Sequence, residues 1–254
     1  MISIFLINTL LLSRIIYTFD DNKLQNKQIP YYLCVQVIGF ALLSINKAWI
    51  FLVLSAVVAN ALIILWEKKS KHIRVGRISA LILLSLVYII FTTKSDTVAF
   101  NPIIISYIKK TVVYNSFFDN VNEVARLNTY MLGLLFILNE SNIIIRQLFD
   151  WLKITPKEPE DDQQHVDAVF PSDKYIKIDE YKSGRVIGIM ERVFVYFAVA
   201  LNEYSIIGFI LAAKAFARFK ELDNKAYAEY VLIGTLSSIL LSFIVANLII
   251  LFIN

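Results

Sequence analysis

Phe51-Leu52-Val53-Leu54-Ser55-Ala56-Val57-Val58-Ala59-Asn60-Ala61-Leu62-Ile63-Ile64-Leu65 is apolar on nearly every face it can present, and Ile239 to Ile253 reads the same way. A membrane-spanning strand would alternate apolar and polar residues over about 10 positions, which neither stretch does. Both predict helices in contact with lipid. Working outward, further apolar stretches run from Ile2 to Phe19, Tyr31 to Ile45, Ala48 to Trp66, Ile78 to Phe91, Tyr130 to Leu152, Val186 to Leu201, Ser205 to Phe219 and Tyr230 to Ile253. All five prolines (Pro30, Pro102, Pro156, Pro159, Pro171) fall outside these eight stretches, as expected of helices that must pair every backbone donor internally in lipid.

Composition agrees. Of 254 residues 57% are hydrophobic and 18% charged, with a mean hydropathy of +0.62, against roughly 45–50% and 25% in soluble domains. A soluble single domain is excluded, and the expected class is an all-α, polytopic helical membrane protein with six to eight membrane segments. Met1 to Tyr17 lacks a basic start and a small-residue cleavage site, so it reads as a retained first helix. The organisation expected is membrane helices over 1–93, an interfacial amphipathic stretch over 94–129, and a membrane helix over 130–152. An acidic cytoplasmic linker follows over 153–184, then a membrane hairpin and last helix over 185–254.

Orientation follows from Lys and Arg at the segment ends. Of 25 such residues, 16 collect on one side, 5 on the other, and four (Arg14, Arg146, Arg192, Lys214) lie inside segments. The richer side is expected in the cytoplasm of a bacterial inner-membrane protein, which puts both termini outside if every segment crosses. The net charge of +4 then reflects loop cations and names no nucleic-acid partner.

A crossing helix needs about 20 residues. Tyr31 to Ile45 and Ala48 to Trp66 are joined by Asn46 and Lys47 alone, and Val186 to Leu201 meets Ser205 through Asn202, Glu203 and Tyr204. Each pair, 31–66 and 186–219, either crosses as two short helices or re-enters as a hairpin. Irregular backbone at membrane depth must be buried in protein or line a water-filled cavity, so a polar hairpin tip favours a pore or binding cavity. Lys94 to Asn128, with Ile103, Ile104, Ile105, Tyr107 and Ile108 beside Lys109 and Lys110, predicts a helix lying in the interface. The linker, punctuated by Lys157-Glu158-Pro159-Glu160-Asp161-Asp162, is too short for a core of its own. It is expected to dock on the membrane part or on a cytoplasmic regulator at residues 153–185.

Catalytic and metal signatures are missing from the sequence. The two histidines, His72 and His165, lie far apart, Cys34 sits in an apolar stretch, and there is no HExxH, CxxC or GxSxG. The seven glycines never cluster into a phosphate-binding loop. No catalytic residue, metal or cofactor is expected. What the segments do contain is ionisable and amide side chains, which are expensive in lipid and mark ion or substrate paths. Glu191 and Arg192 follow Gly188, Asn202 and Glu203 form the hairpin tip, Lys214 and Arg218 share a helix face, and Glu229 opens the last helix. Asn139, Glu140, Asn142 and Arg146 add a polar set in the fifth segment, of which Asn139, Asn142 and Arg146 share one stripe. The alternatives are snorkelling to head groups or interhelical hydrogen bonding. Arg14 and Asn60 stand isolated in sequence. Gly184-Arg185-Val186-Ile187-Gly188 has the GxxxG spacing that permits close helix approach, a signal for a homo-oligomer.

That glycine pair with Glu191-Arg192, Ile207-Gly208-Phe209 with Ala212-Ala213-Lys214, Arg218-Phe219, and Glu229-Tyr230-Val231-Leu232-Ile233-Gly234-Thr235 resembles the bacterial membrane-protein family catalogued as domain of unknown function 3307. The resemblance covers Gly184 to Thr235, about a fifth of the chain, with Met131 to Trp151 similar. The N-terminal half departs: the family's early helices carry His and Asp, whereas this chain has no histidine before His72 and offers Asn60 and Glu67 in the comparable region. The resemblance implies a membrane architecture in which Arg185, Glu191, Arg192, Lys214, Arg218 and Glu229 match, and implies no reaction.

Together these residues lead to a homo-oligomeric ion channel, with the second hairpin and the last helix lining the path. Because such a channel must stay shut in a growing cell, the reading extends to a gated effector of an anti-phage defence system. The alternatives are a membrane enzyme or transporter using Glu191, Arg192 and Glu203, and a structural membrane partner of a soluble protein.

Overall fold

The computed structural model describes residues 1–19, 23–70, 72–94, 98–109, 121–153, 173–219 and 225–253. The acidic run at 157–162 and the rest of 154–172 lie outside these residues, while residues 173–184 of the expected linker and regulator-docking segment are helical, forming the start of a long helix that continues to Ala200. The described elements are helices: α1 Ile2–Ser13, α2 Ile16–Phe19, α3 Ile29–Ala41, α4 Lys47–Lys69, α5 Ile73–Lys94, α6 Pro102–Lys109, α7 Val121–Leu152, α8 Asp173–Ala200, α9 Ser205–Ala217 and α10 Lys225–Ile253. Each apolar stretch of the sequence falls on one of them, the first being divided between α1 and α2. Pro30 and Pro102 occupy first-turn positions, where a missing N–H costs nothing.

Among the described residues four helices are long and apolar enough to cross a membrane: α4, α5, α7 and α10. With 12, 13 and 13 residues, α1, α3 and α9 reach only about 20 Å, short of roughly 30 Å of hydrocarbon. Although α8 has 28 residues, only its second half is apolar. The protein is therefore an all-helical chain with the character of a membrane-embedded protein.

The chain divides into two compact units, Met1–Ile144 and Ile145–Phe252, so α7 contributes to both. In the first unit α1 packs on α3 and α5, and α4 packs on α5. Its core holds Leu6, Leu10, Phe40, Leu43, Leu52, Ala56, Leu84 and Tyr88. Gly39 allows α3 to approach α1: a Cβ there would lie 2.7 Å from Thr9 Cγ2. At the start of α4, the Asn46 side chain accepts the Trp49 N–H at 2.8 Å, a capping bond that fixes where the span begins. The loop ahead of it pairs with the loop after α5, where Ser44 N–H donates to the Ala99 carbonyl at 2.8 Å and Asn101 N–H to the Leu42 carbonyl at 3.0 Å. Asn101 also caps α6 through the Ile103 N–H. Ile103 and Tyr107 of α6 are exposed; of the stretch expected to be interfacial, residues 95–97 and 110–120 lie outside the described set and residues 121–129 form the start of α7.

In the second unit α8 and α9 form a helical hairpin. Among the described residues, Val195, Tyr196, Ala198 and Val199 are the buried apolar side chains of α8, and Ala246 and Ile249 those of α10. Phe149 stacks on Tyr230 with ring centroids 4.9 Å apart and lies over Gly234, where a Cβ would come within 3.0 Å of the ring.

Candidate functional site

Two groups of charged residues can carry chemistry, one in each unit. The first is deeply buried and was hardly visible in sequence. Arg14, just after α1, extends Nε to Glu140 Oε1 at 2.6 Å and Nη2 to Glu140 Oε2 at 3.0 Å, a two-pronged fork that holds the carboxylate in one plane. The same Nη2 donates to the Arg77 carbonyl at 2.9 Å. Glu140 also accepts from Asn139 Nδ2 at 2.8 Å, and Asn139 Oδ1 accepts from Thr18 Oγ1 at 2.9 Å. Beside this, Glu67 near the end of α4 accepts from Arg77 Nη2 at 2.7 Å, Tyr17 OH at 3.1 Å and the Leu24 N–H at 3.2 Å. The ring of Tyr17 lies between the two cations, 4.0 Å from the Arg77 guanidinium carbon and 5.1 Å from that of Arg14.

Arg14, Glu67, Arg77 and Glu140 are each at most 5% exposed and sum to zero formal charge. Burying ions costs several kcal/mol each, so the cluster is tolerable only because every carboxylate oxygen is occupied. A carboxylate saturated in this way is a poor proton acceptor. The arrangement binds α1, α2, α4, α5 and α7 of the first unit together and leaves no free base.

A neutral network continues it. Gln36 Nε2 donates to Ser13 Oγ at 3.1 Å, while Gln36 Oε1 accepts from Asn60 Nδ2 at 2.8 Å and Tyr88 OH at 3.2 Å. Tyr32 OH donates to Asn60 Oδ1 at 3.0 Å. Asn60, isolated in sequence, is thus bonded at both its oxygen and its nitrogen, and Arg14 is bonded at Nε and Nη2 while its buried Nη1 has no hydrogen-bond partner.

The second group lies on the α8/α9 hairpin. Lys214 Nζ meets Glu191 Oε2 at 2.6 Å, with the side chains 21% and 12% exposed. Nine residues separate Glu191 from Ala200 and nine separate Ser205 from Lys214, which puts the pair about 14 Å from the turn along either arm. The turn itself is a helix C-cap: the Asn202 N–H donates to the Val199 carbonyl at 3.1 Å and the Glu203 N–H to the Ala198 carbonyl at 2.7 Å, the double bond of a Schellman motif. Asn202 supplies its left-handed residue, with φ of 60°. Asn202 and Glu203 are exposed, and α9 has no buried residue at all.

The remaining predicted positions fall around this hairpin. Arg192 is buried and reaches Ser238 Oγ at 3.4 Å. Arg218 is half-buried at the C-cap of α9, and Glu229 is exposed in α10. Arg185 is half-buried, next to Gly184. Among the described residues, the nearest atoms a Cβ at Gly184 and Gly188 would meet are the guanidinium nitrogens of Arg218 at 3.9 Å and Arg192 at 3.6 Å, and neither glycine seats another described helix backbone. The stripe Asn139, Asn142 and Arg146 straddles the boundary between the two units. Asn139 and Asn142 belong to the first unit, with Asn139 held by Thr18 and Glu140, and half-buried Arg146 belongs to the second.

Glu67, Arg77, Tyr17 and Thr18 were not singled out as site residues, because Arg77 counts among loop cations and the others sit at segment ends. The available signal was the pair of opposite charges ten residues apart across the short α4/α5 connection. Among the described residues no group of three or more His, Cys, Asp and Glu could hold a metal ion. Searches of protein-family models, curated proteins and solved structures find no match to the chain.

Proposed function

We propose that the chain assembles as a homo-oligomeric ion-conducting pore in a bacterial inner membrane, each copy contributing its α8/α9 hairpin to the path. The observation that supports this most is the exposed Asn202–Glu203 turn at the end of an arm about 20 Å long. If that arm is embedded it stops short of the far surface, and a bare carboxylate against acyl chains is prohibitively costly, so a water-filled path is the environment that fits it. The half-buried Glu191–Lys214 pair on the same hairpin and the absence of any buried residue in α9 fit a surface completed by further copies. Rings of Glu203 and Lys214 about a symmetry axis would set selectivity. In this reading the Lys/Arg-rich loops are cytoplasmic, residues 153–185 receive a regulator, and a pore held shut until triggered would suit a defence effector.

The test is ion flux into liposomes carrying the purified protein, comparing wild type with Glu203→Ala and Lys214→Ala. Flux whose cation-to-anion preference changes in the variants is the expected result. No flux from a protein that is folded and oligomeric, with cell extract added as a source of an opening signal, would overturn the reading in favour of a transporter or enzyme.

A further inference from the structure

In the first unit an open groove of about 640 Å³ lies between α4 and α5, and no hairpin residue is among those that line it. That volume lies within the roughly 300–1,000 Å³ of ligand pockets. Ser55, Ala59, Gly76 and Ala80 are among the small residues that line it, and Val58 and Leu62 are among its exposed apolar ones. It runs from Phe51 to Trp66 along α4, about 23 Å. The hydroxyls that could wet it are turned away, Ser55 Oγ to the Leu52 carbonyl at 2.8 Å and Ser79 Oγ to the Gly76 carbonyl at 3.0 Å. At one end the Trp66 ring lies directly on Gly76, where there is no room for a Cβ.

Past that end, next to the groove's apolar lining, the chain places a lysine and a histidine. Lys69 follows Leu62 by seven residues and Trp66 by three, so it continues the groove face of α4, and His72 precedes Gly76 by four residues at the start of α5. Both are exposed. Lys68 lies off that face and is held by Asn26 Oδ1 at 2.9 Å. An apolar slot between two helices long enough to span, capped at one end by a tryptophan and two cationic or titratable groups, has the complementarity of an amphiphile with acyl chains and an anionic head.

We infer that the α4/α5 groove is a binding site for one anionic glycerophospholipid, with an acyl chain lying along Val58 and Leu62 and the phosphate head at Lys69 and His72. An acyl chain fills about one leaflet, roughly 15 Å of the groove, from the Trp66 end.

Native mass spectrometry of the full-length protein, purified in detergent and exposed to equimolar phosphatidylglycerol and phosphatidylcholine, tests this. Wild type should retain one phosphatidylglycerol per chain at least about fivefold in preference, the factor expected for one surface cation. Lys69→Gln with His72→Gln should bring the preference close to parity while retaining bound lipid. Val58→Trp, which fills the slot and leaves the charges, should remove the tightly held lipid altogether. Lys27→Gln, an equal charge loss at another exposed cation, should behave as wild type. Equal retention of the two lipids by wild type would overturn the assignment, as would a loss in Lys27→Gln matching that in the Lys69/His72 variant. So would a Val58→Trp protein that keeps its lipid but loses a dimer, which would make the groove a seat for a second copy.

Discussion

The first unit holds four formal charges almost without exposure, whereas on the α8/α9 hairpin of the second the Glu191–Lys214 pair is still reached by water. In the first, each carboxylate oxygen has a partner and the guanidinium of Arg14 is clamped between Glu140, the Arg77 carbonyl and the Tyr17 ring. In the second, one lysine meets one glutamate, the nearby turn is bare, and α9 buries nothing. Saturation removes chemical freedom and turns charge into a fixture of the fold. Partial exposure leaves charge available to ions. Ionisable residues in apolar segments thus come in two kinds here, saturated and partly exposed, and partner number distinguishes them better than position in the segment.

The comparison breaks most easily at Arg14. Arg14→Ala leaves Glu140 buried with only Asn139 beside it, and about 3–5 kcal/mol of stability should disappear, as for other severed buried pairs. In thermal unfolding followed by size-exclusion chromatography this variant should lose most of its monodisperse peak. Arg14→Met combined with Glu140→Leu should recover more than half of the loss, because no lone ion remains. Were Arg14→Ala as stable as wild type, the cluster would not be the fixture its geometry describes.

A smaller effect is expected where packing rather than charge holds the first unit. Gly39→Val drives new methyls into Thr9 and should cost about 1–3 kcal/mol, visible as a lower melting temperature. Next comes the hairpin turn. Asn202→Val places a branched side chain at φ of 60° and should cost about 1–2 kcal/mol, whereas Asn202→Gly should be neutral or slightly stabilising. Equal melting temperatures for the two variants would mean that the turn does not need a left-handed residue.

The smallest stability effect sharpens the contrast. Glu191→Gln and Lys214→Gln, singly or together, should each change stability by less than about 1 kcal/mol, since the pair is partly solvated. Their effect should appear in liposome flux instead. A double-mutant cycle giving a coupling energy as large as that of Arg14 and Glu140 would place both pairs in the same structural class.

All-helical architecture and its membrane character were legible from composition, from stretches such as Phe51 to Leu65, and from the position of every proline, because a chain in lipid must satisfy its backbone locally and therefore declares itself in consecutive residues. Helix ends were legible where a cap is local, as at Asn46 and at Pro102. The Glu191–Lys214 contact was half legible, both residues being marked by their cost in an apolar segment but not by their distance. Only the tertiary structure could join Arg14 to Glu140, 126 positions apart, or put Glu67 and Arg77 around Tyr17. A pairing between distant residues leaves no periodicity in the sequence, so an arginine that looks isolated along the chain becomes, once α1, α5 and α7 are packed, the centre of the polar core. The α4/α5 groove was hidden for the same reason: small residues such as Ala59 and Gly76 look unremarkable until two helices place them side by side.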